Sequence, residues 1–190
     1  LRSASFAPIY ASQVKHTLGR RLRRGKRRKG KYMTFKSTII VVDDVLKSRK
    51  LYETILGCEI ESDFGIYNVG YKGGLALYKR TLFEELIGTK EIISKANNFV
   101  IYFEFNTIET IQKEIETGQF EFIHKIKEQP WGQNVFRFYD YDKHIIEIAE
   151  KMQNVFKRMK NNKMTIEQIA EKTGYNIEDV KNEMKILENP

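Results

Sequence analysis

The residues best suited to chemistry gather late in the chain. From Glu128 to Glu150 the sequence reads EQPWGQNVFRFYDYDKHIIEIAE, with the only Trp, one of the three His, an arginine among aromatics and a glutamate among isoleucines. Side chains two apart on a strand share a face, so Glu147 falls on one face with Ile145 and Ala149. A carboxylate is out of place there unless the face lines a cavity, as a catalytic carboxylate or the acidic floor of a binding cup. Val100, Tyr102 and Glu104 share a face of NFVIYFEF by the same alternation. Arg137 is one candidate counter-charge for Glu104. Ser37, Thr38 and the Cys58 thiol are nucleophile types, but no base accompanies them in the sequence, which argues against nucleophilic catalysis.

Two strands flank the Asp140-Tyr141-Asp142-Lys143 turn in that stretch, and the elements before it repeat an order. FKSTIIVVDD is rich in β-branched residues and reads as a strand. Asp44 can cap a helix over VLKSRKLYETIL, where Val45, Leu51, Tyr52 and Ile55 form an apolar stripe, and Gly57 suits its end. Three short strands follow, CEIESDF, GIYNVGY and GLALYKR, with Gly65 and Gly73-Gly74 at the turns. RTLFEELIGTKEIISKANN reads as a loop with a helical turn. NFVIYFEF then opens a second round: a helix over TIETIQKEIETG with Asn106 as N-cap and Gly118 at its end, then strands in FEFIHKIKEQP, NVFRFYD and HIIEIAE. The expected fold class is α+β: tandem βαβββ modules forming curved mixed sheets around a cup, followed by a helical extension.

The formal charge of +8 is unevenly placed. Residues 1–36 hold 12 Lys and Arg and no acid, leaving 21 against all 25 acids in the remainder, a net −4. Eight of the ten residues from Arg20 to Lys29 are basic, a run that repels itself and is expected to be disordered. The basic arm over 1–32 reads in three ways: a non-native extension ahead of Met33, an acid-free targeting peptide, or a nucleic-acid arm through residues 20–31. Residues 33–150 form the expected main domain and 151–190 a helical tail. In that tail Thr165 and Gln168 suit a capping box, Gly174 ends the helix, and NIEDVKNEMKIL follows. The spacing resembles a helix-turn-helix, yet Glu178, Asp179, Glu183 and Glu188 on the second helix would repel phosphates. No apolar run approaches the roughly 20 residues that span a bilayer, and the single cysteine leaves no intrachain disulfide and fits a reducing compartment. The expected location is cytoplasmic, away from membranes.

Two βαβββ modules in tandem resemble the vicinal oxygen chelate superfamily, which includes glyoxalase I, bleomycin-resistance proteins and extradiol dioxygenases. VVDDVLKSRKLYETILG (41–57) resembles its opening strand-to-helix signature, with Leu51 in place of an aromatic. EQPWGQNVFRFYDYDKHIIEIAE (128–150) resembles its closing hairpin, with Tyr141 and Lys143 where Pro and Gly are usual. The resemblance covers Met33 to about Glu150. It implies a site of inward-facing strand residues, with the Val100, Tyr102 and Glu104 face turned into the cup. It also implies a metal set, and here the chain departs. Ser37 stands where the first-strand His belongs, no His lies between residues 17 and 123, and the fourth strand offers no ligand; Glu147 alone matches. One carboxylate cannot hold a divalent ion that needs three or four donors.

The expected function is therefore that of a glyoxalase/bleomycin-resistance-like protein binding a small organic molecule, planar or cationic, in a metal-free aromatic cup. The candidate ligand-binding residues are Ser37, Tyr102, Glu104, Trp131, Gln133, Arg137 and Glu147, with Glu147 also the best catalytic candidate, and no cofactor is expected. Two other readings stand beside it. One is a metal-dependent lyase or dioxygenase with an atypical ligand set around Glu147 and Glu104, with His124 or His144 nearby. The other is a ligand-sensing regulatory protein with the helical tail as output. The resemblance makes a homodimer plausible.

Overall fold

Alternating β-branched residues become β1, Thr38–Val42, with Ile40 and Val42 buried. The computed structural model describes residues 33–89 and 91–188, so the basic arm over 1–32 lies outside the described residues. Asp44 caps the next helix, its carboxylate accepting from the Lys47 N–H at 3.0 Å. That helix, α1, keeps α geometry over Val45–Arg49 and then widens into a π-helical turn over Lys50–Ile55, where the sequence suggested one continuous α-helix. The Leu56 N–H bonds to the Leu51 carbonyl, a step of five residues. Widening turns both Leu51 and Tyr52 into the core and lets Glu53 accept from the Tyr71 hydroxyl at 3.1 Å.

β2 (Ile60–Asp63), β3 (Asn68–Tyr71) and β4 (Leu75–Lys79) complete a mixed sheet of order β1-β4-β3-β2. β1 runs parallel to β4, and the β2–β3 and β3–β4 pairs are antiparallel. Where the sequence suggested a loop with a helical turn, Arg80–Ile87 forms an eight-residue helix, α2, ended by left-handed Gly88. The order then repeats as β5 (Val100–Phe105), α3 (Ile108–Thr117), β6 (Phe122–Glu128), β7 (Asn134–Tyr139) and β8 (Ile145–Glu150). Thr107, not Asn106, occupies the N-cap of α3, and the Thr107 side chain makes no capping bond. The second sheet has the order β5-β8-β7-β6, so the α+β class with two four-stranded sheets holds.

One core serves both modules. Ile40, Val42, Tyr52, Val69 and Leu77 from the first share it with Ile111, Ile115, Phe136, Phe138, Ile146 and Ile148 from the second. A buried polar knot joins the modules beside it. The Asp140 carboxylate accepts from the Tyr52 hydroxyl (2.9 Å), the His144 ring (2.8 Å) and the backbone N–H groups of Asp142 (2.9 Å) and His144 (2.8 Å). Asp142 in turn accepts from the Asp43 N–H at 2.9 Å, tying the end of β1 to the β7–β8 turn.

The described residues fall into two compact units. The larger comprises Thr34–Lys127 and Val135–Ala149; the smaller takes residues 128–134 and 150–188. In the smaller, α4 (Met152–Asn161), α5 (Ile166–Thr173) and α6 (Ile177–Glu188) close on Val155, Phe156, Met159, Ile169, Val180 and Met184. The Thr165–Gln168 capping box forms, and left-handed Gly174 separates α5 from α6. Arg158 donates to Glu128, Glu150 and the Gly132 carbonyl, and Lys172 also reaches Glu128. Gly132 suits that place because its φ is +86°, a backbone conformation that residues with a Cβ rarely adopt. No described helix is long and apolar enough to cross a membrane.

The knot yields two expectations. Tyr52→Phe removes a buried hydroxyl from a carboxylate, and chemical denaturation should show a loss of about 1.5–3 kcal/mol. Burial pushes the Asp142 carboxyl above its ordinary value, with the charge of Asp140 adding to the rise, while the Asp43 N–H opposes it. A raised carboxyl favours the fold when protonated, and this contribution is lost as pH rises through its folded pKa. Asp142→Asn, which keeps the acceptor for Asp43, should therefore melt at an equal or higher temperature than wild type at pH 7. That advantage should shrink as the pH is lowered through the carboxylate range.

Candidate functional site

The β7–β8 ladder decides which side chains can act. Phe136 stands opposite Ile148 and Phe138 opposite Ile146, and all four are in the core. Arg137 stands opposite Glu147, so the pair projects from the other face of the sheet. Glu147 is nonetheless only 2% exposed. Arg137 Nε donates to its Oε2 at 2.6 Å, while Oε1 is buried without a hydrogen-bond partner. The guanidinium also donates from Nη1 to His124 Nε2 at 2.8 Å. His124 Nδ1 lies 2.8 Å from the Lys125 carbonyl, which can only accept. These two partners fix the ring as a neutral imidazole protonated on Nδ1. The result is a three-residue arrangement of carboxylate, guanidinium and imidazole running from β8 to the edge strand β6.

The neighbouring strand supplies the rest of that face. Ile101 and Phe103 pack against the core, which leaves Val100, Tyr102 and Glu104 on the side of Glu147. Glu104 is exposed and accepts from the Tyr102 hydroxyl at 2.9 Å; its counter-charge is not Arg137, which Glu147 engages. Phe136 and Phe138, the aromatics of β7 beside Arg137, belong to the core and do not line this face. Tyr102 and Tyr139 remain, the latter opposite Ile145 on the Glu147 face. A cleft of about 520 Å³ opens between the β3–β4 turn and the start of β5, lined by Thr38, Cys58, Tyr71, Val100 and Tyr102 among others. Of the candidate ligand residues, Tyr102 is the one it includes.

The other candidates have different settings. Trp131 donates to the Gln133 side chain at 2.9 Å, and Gln133 passes its amide N–H to the Glu150 carbonyl at 2.7 Å, all within the smaller unit. Ser37 is half-buried just before β1, and no hydrogen bond among the described residues joins it to the Glu147 set. His144 is buried in the Asp140 knot with its ring 5.3 Å from that of Phe99, a structural place. Burial, reinforced by Glu53, pushes the Cys58 thiol up to about 11, so it stays protonated and unreactive at neutral pH.

The donors do not fit the metal ion that the resemblance implied. Among the described residues no group of three His, Cys, Asp or Glu could hold one, and the cation beside Glu147 is Arg137. The Arg137–Glu147 pairing needs a connection that runs from Asp140 to His144; a turn of Asp140–Lys143 alone would set Arg137 opposite Ile146. His124 likewise carried no signal that would place it on Arg137.

A family model described as a glyoxalase-like domain matches residues 35–153. A protein of unknown function from Agrobacterium tumefaciens is 35% identical, with a TM-score of 0.57 over 63% of this chain and 95% of that one. A glyoxalase-related enzyme from Fulvimarina pelagi aligns with a TM-score of 0.54 at 15% identity, over 64% of this chain and 90% of its own. A glyoxalase/bleomycin resistance protein/dioxygenase family enzyme from Burkholderia phytofirmans gives 0.55 at 14%, over 62% and 98%. The last two likenesses concern the fold alone. A search of curated proteins finds no match.

The asymmetry of the ion pair is measurable. Arg137→Met strands a buried carboxylate and should cost about 3–5 kcal/mol, whereas Glu147→Gln leaves an arginine able to reach water and should cost less. The double variant should recover much of the Arg137→Met loss in urea denaturation.

Proposed function

The chain belongs to the glyoxalase-like domain family, and on that footing we propose that it binds a small organic molecule at the Arg137–Glu147 face without a metal ion. The observation that carries this reading is the half-satisfied carboxylate of Glu147. A buried acceptor left without a partner costs about 1–3 kcal/mol. A water or a ligand group that reaches Oε1 would remove that cost, and a ligand is the reading proposed here. Glu147 lies on β8, between β5 and β7 in the sheet, so the strand that carries Tyr102 and Glu104 lies on one side and Arg137 on the other. Val100, Ile145 and Tyr139 add apolar surface to the same face, the mixture of apolar wall and few polar groups that small-molecule sites use. Oε1 is covered, and the Arg137 side chain beside it is a quarter exposed.

The donor set favours this over a metal-dependent lyase or dioxygenase. Metal analysis of the purified full chain should find far less than one ion per molecule. A thermal-shift screen of small organic acids, amines and thiol adducts should find a stabilising compound. At about 100-fold over its Kd a ligand adds about 2.7 kcal/mol, a rise of roughly 5–10 °C, and Glu147→Gln should reduce the rise. Near-stoichiometric zinc, nickel, iron or manganese that is lost in Glu147→Gln would overturn the proposal, as would a screen in which nothing shifts the wild-type protein.

A further inference from the structure

Resting on the reading of this face as a ligand site, we propose that Arg137 rather than Glu147 is the group that meets the ligand, and that the ligand presents an anionic oxygen acceptor such as a carboxylate. The charges decide it. Glu147 is already neutralised by a guanidinium at 2.6 Å and its second oxygen is covered, so a cation arriving at this face finds no open negative charge there. Glu104 is exposed, where water and salt screen its attraction.

Arg137 is in the opposite situation. A guanidinium carries five N–H donors in a rigid fork. Nε is engaged by Glu147 and one N–H of Nη1 by His124. Both N–H groups of Nη2 and the second of Nη1 have no described partner, and the side chain is a quarter exposed. Carboxylate and imidazole grip the fork from two strands and leave its remaining edge for an incoming oxygen. A cation held this way has lost its rotamer freedom before the ligand arrives, which favours affinity. His124 is neutral in this arrangement, so it positions Arg137 without adding a charge. The positive charge that a metal at Glu147 would bring comes here from a side chain on the neighbouring strand. Glu147 and His124 are then positioning residues, and Arg137 is the contact.

Benzoate and benzylammonium, alike except for the head group, test this by NMR titration and calorimetry on the full chain. Benzoate should bind the wild-type protein and benzylammonium should not. Arg137→Lys keeps the charge but loses the fork, and should weaken benzoate at least about tenfold. His124→Ala should weaken it by less. The wild-type pair of titrations needs no variant, so poor folding of a variant cannot mask the answer. Preference for benzylammonium, or unchanged benzoate affinity in Arg137→Lys, would overturn the assignment while leaving the small-molecule reading intact. Silence from both probes beside a positive thermal-shift screen would likewise overturn only the oxygen-acceptor assignment; silence in all three would overturn the binding reading itself.

Discussion

Asp140 holds the larger unit in its shape. Its carboxylate is nearly inaccessible to water, and four protein groups replace the lost solvation: a tyrosine hydroxyl, an imidazole N–H and two backbone amides. A buried carboxylate that lost these donors would be far costlier than one never buried. The two backbone donors shape the β7–β8 turn, and the Tyr52 hydroxyl is fixed by the π-widened helix of the first module. The tyrosine, the turn and the helix therefore stand or fall together. Without that turn the β7–β8 register has no anchor, and the register is what sets Arg137 against Glu147.

One hairpin thus carries two kinds of charge burial. At its tip the buried acid is fully satisfied and the arrangement is structural. Halfway along its strands the buried acid is satisfied on one oxygen only, and the counter-ion keeps free donors. The contrast within a single element separates the two roles more sharply than either site does alone. The tip has spent its hydrogen-bonding capacity on itself; the strand has kept some in reserve.

Much of this was legible beforehand because the signals are local. Alternation in FKSTIIVVDD and NVFRFYD, the Asp44 and Thr165 caps, and the glycines at 57 and 174 each depend on a few adjacent residues, and each appears as expected. The failures have separate causes. The π-turn at Lys50–Ile55 sets Tyr52 on Asp140 and Glu53 on Tyr71, partners 88 and 18 residues away, which no helical propensity encodes. α2 was hidden because Lys79 at its N-cap is no capping residue, and at α3 two residues of capping type, Asn106 and Thr107, stand side by side. The site was half legible. Alternation singled out Glu147 and the Val100, Tyr102 and Glu104 face, but the pairing of Arg137 with Glu147 depends on the hairpin register, and the grip of His124 on Arg137 is visible only once the edge strand is in place.

The Tyr52–Asp140 bond joins residues 88 apart, and the Asp43–Asp142 bond joins residues 99 apart. Contacts so distant along the chain form only after a large loop closes, and that closure is the slow part of folding. During synthesis the first module leaves the ribosome with Tyr52 and the end of β1 lacking their partners. It must wait for about ninety more residues before its own core can lock. Until then its exposed strand edges are open to misassociation, the usual hazard of chains that fold through late long-range contacts. The chain is therefore two repeats in sequence but one event in folding, completed when its last hairpin arrives.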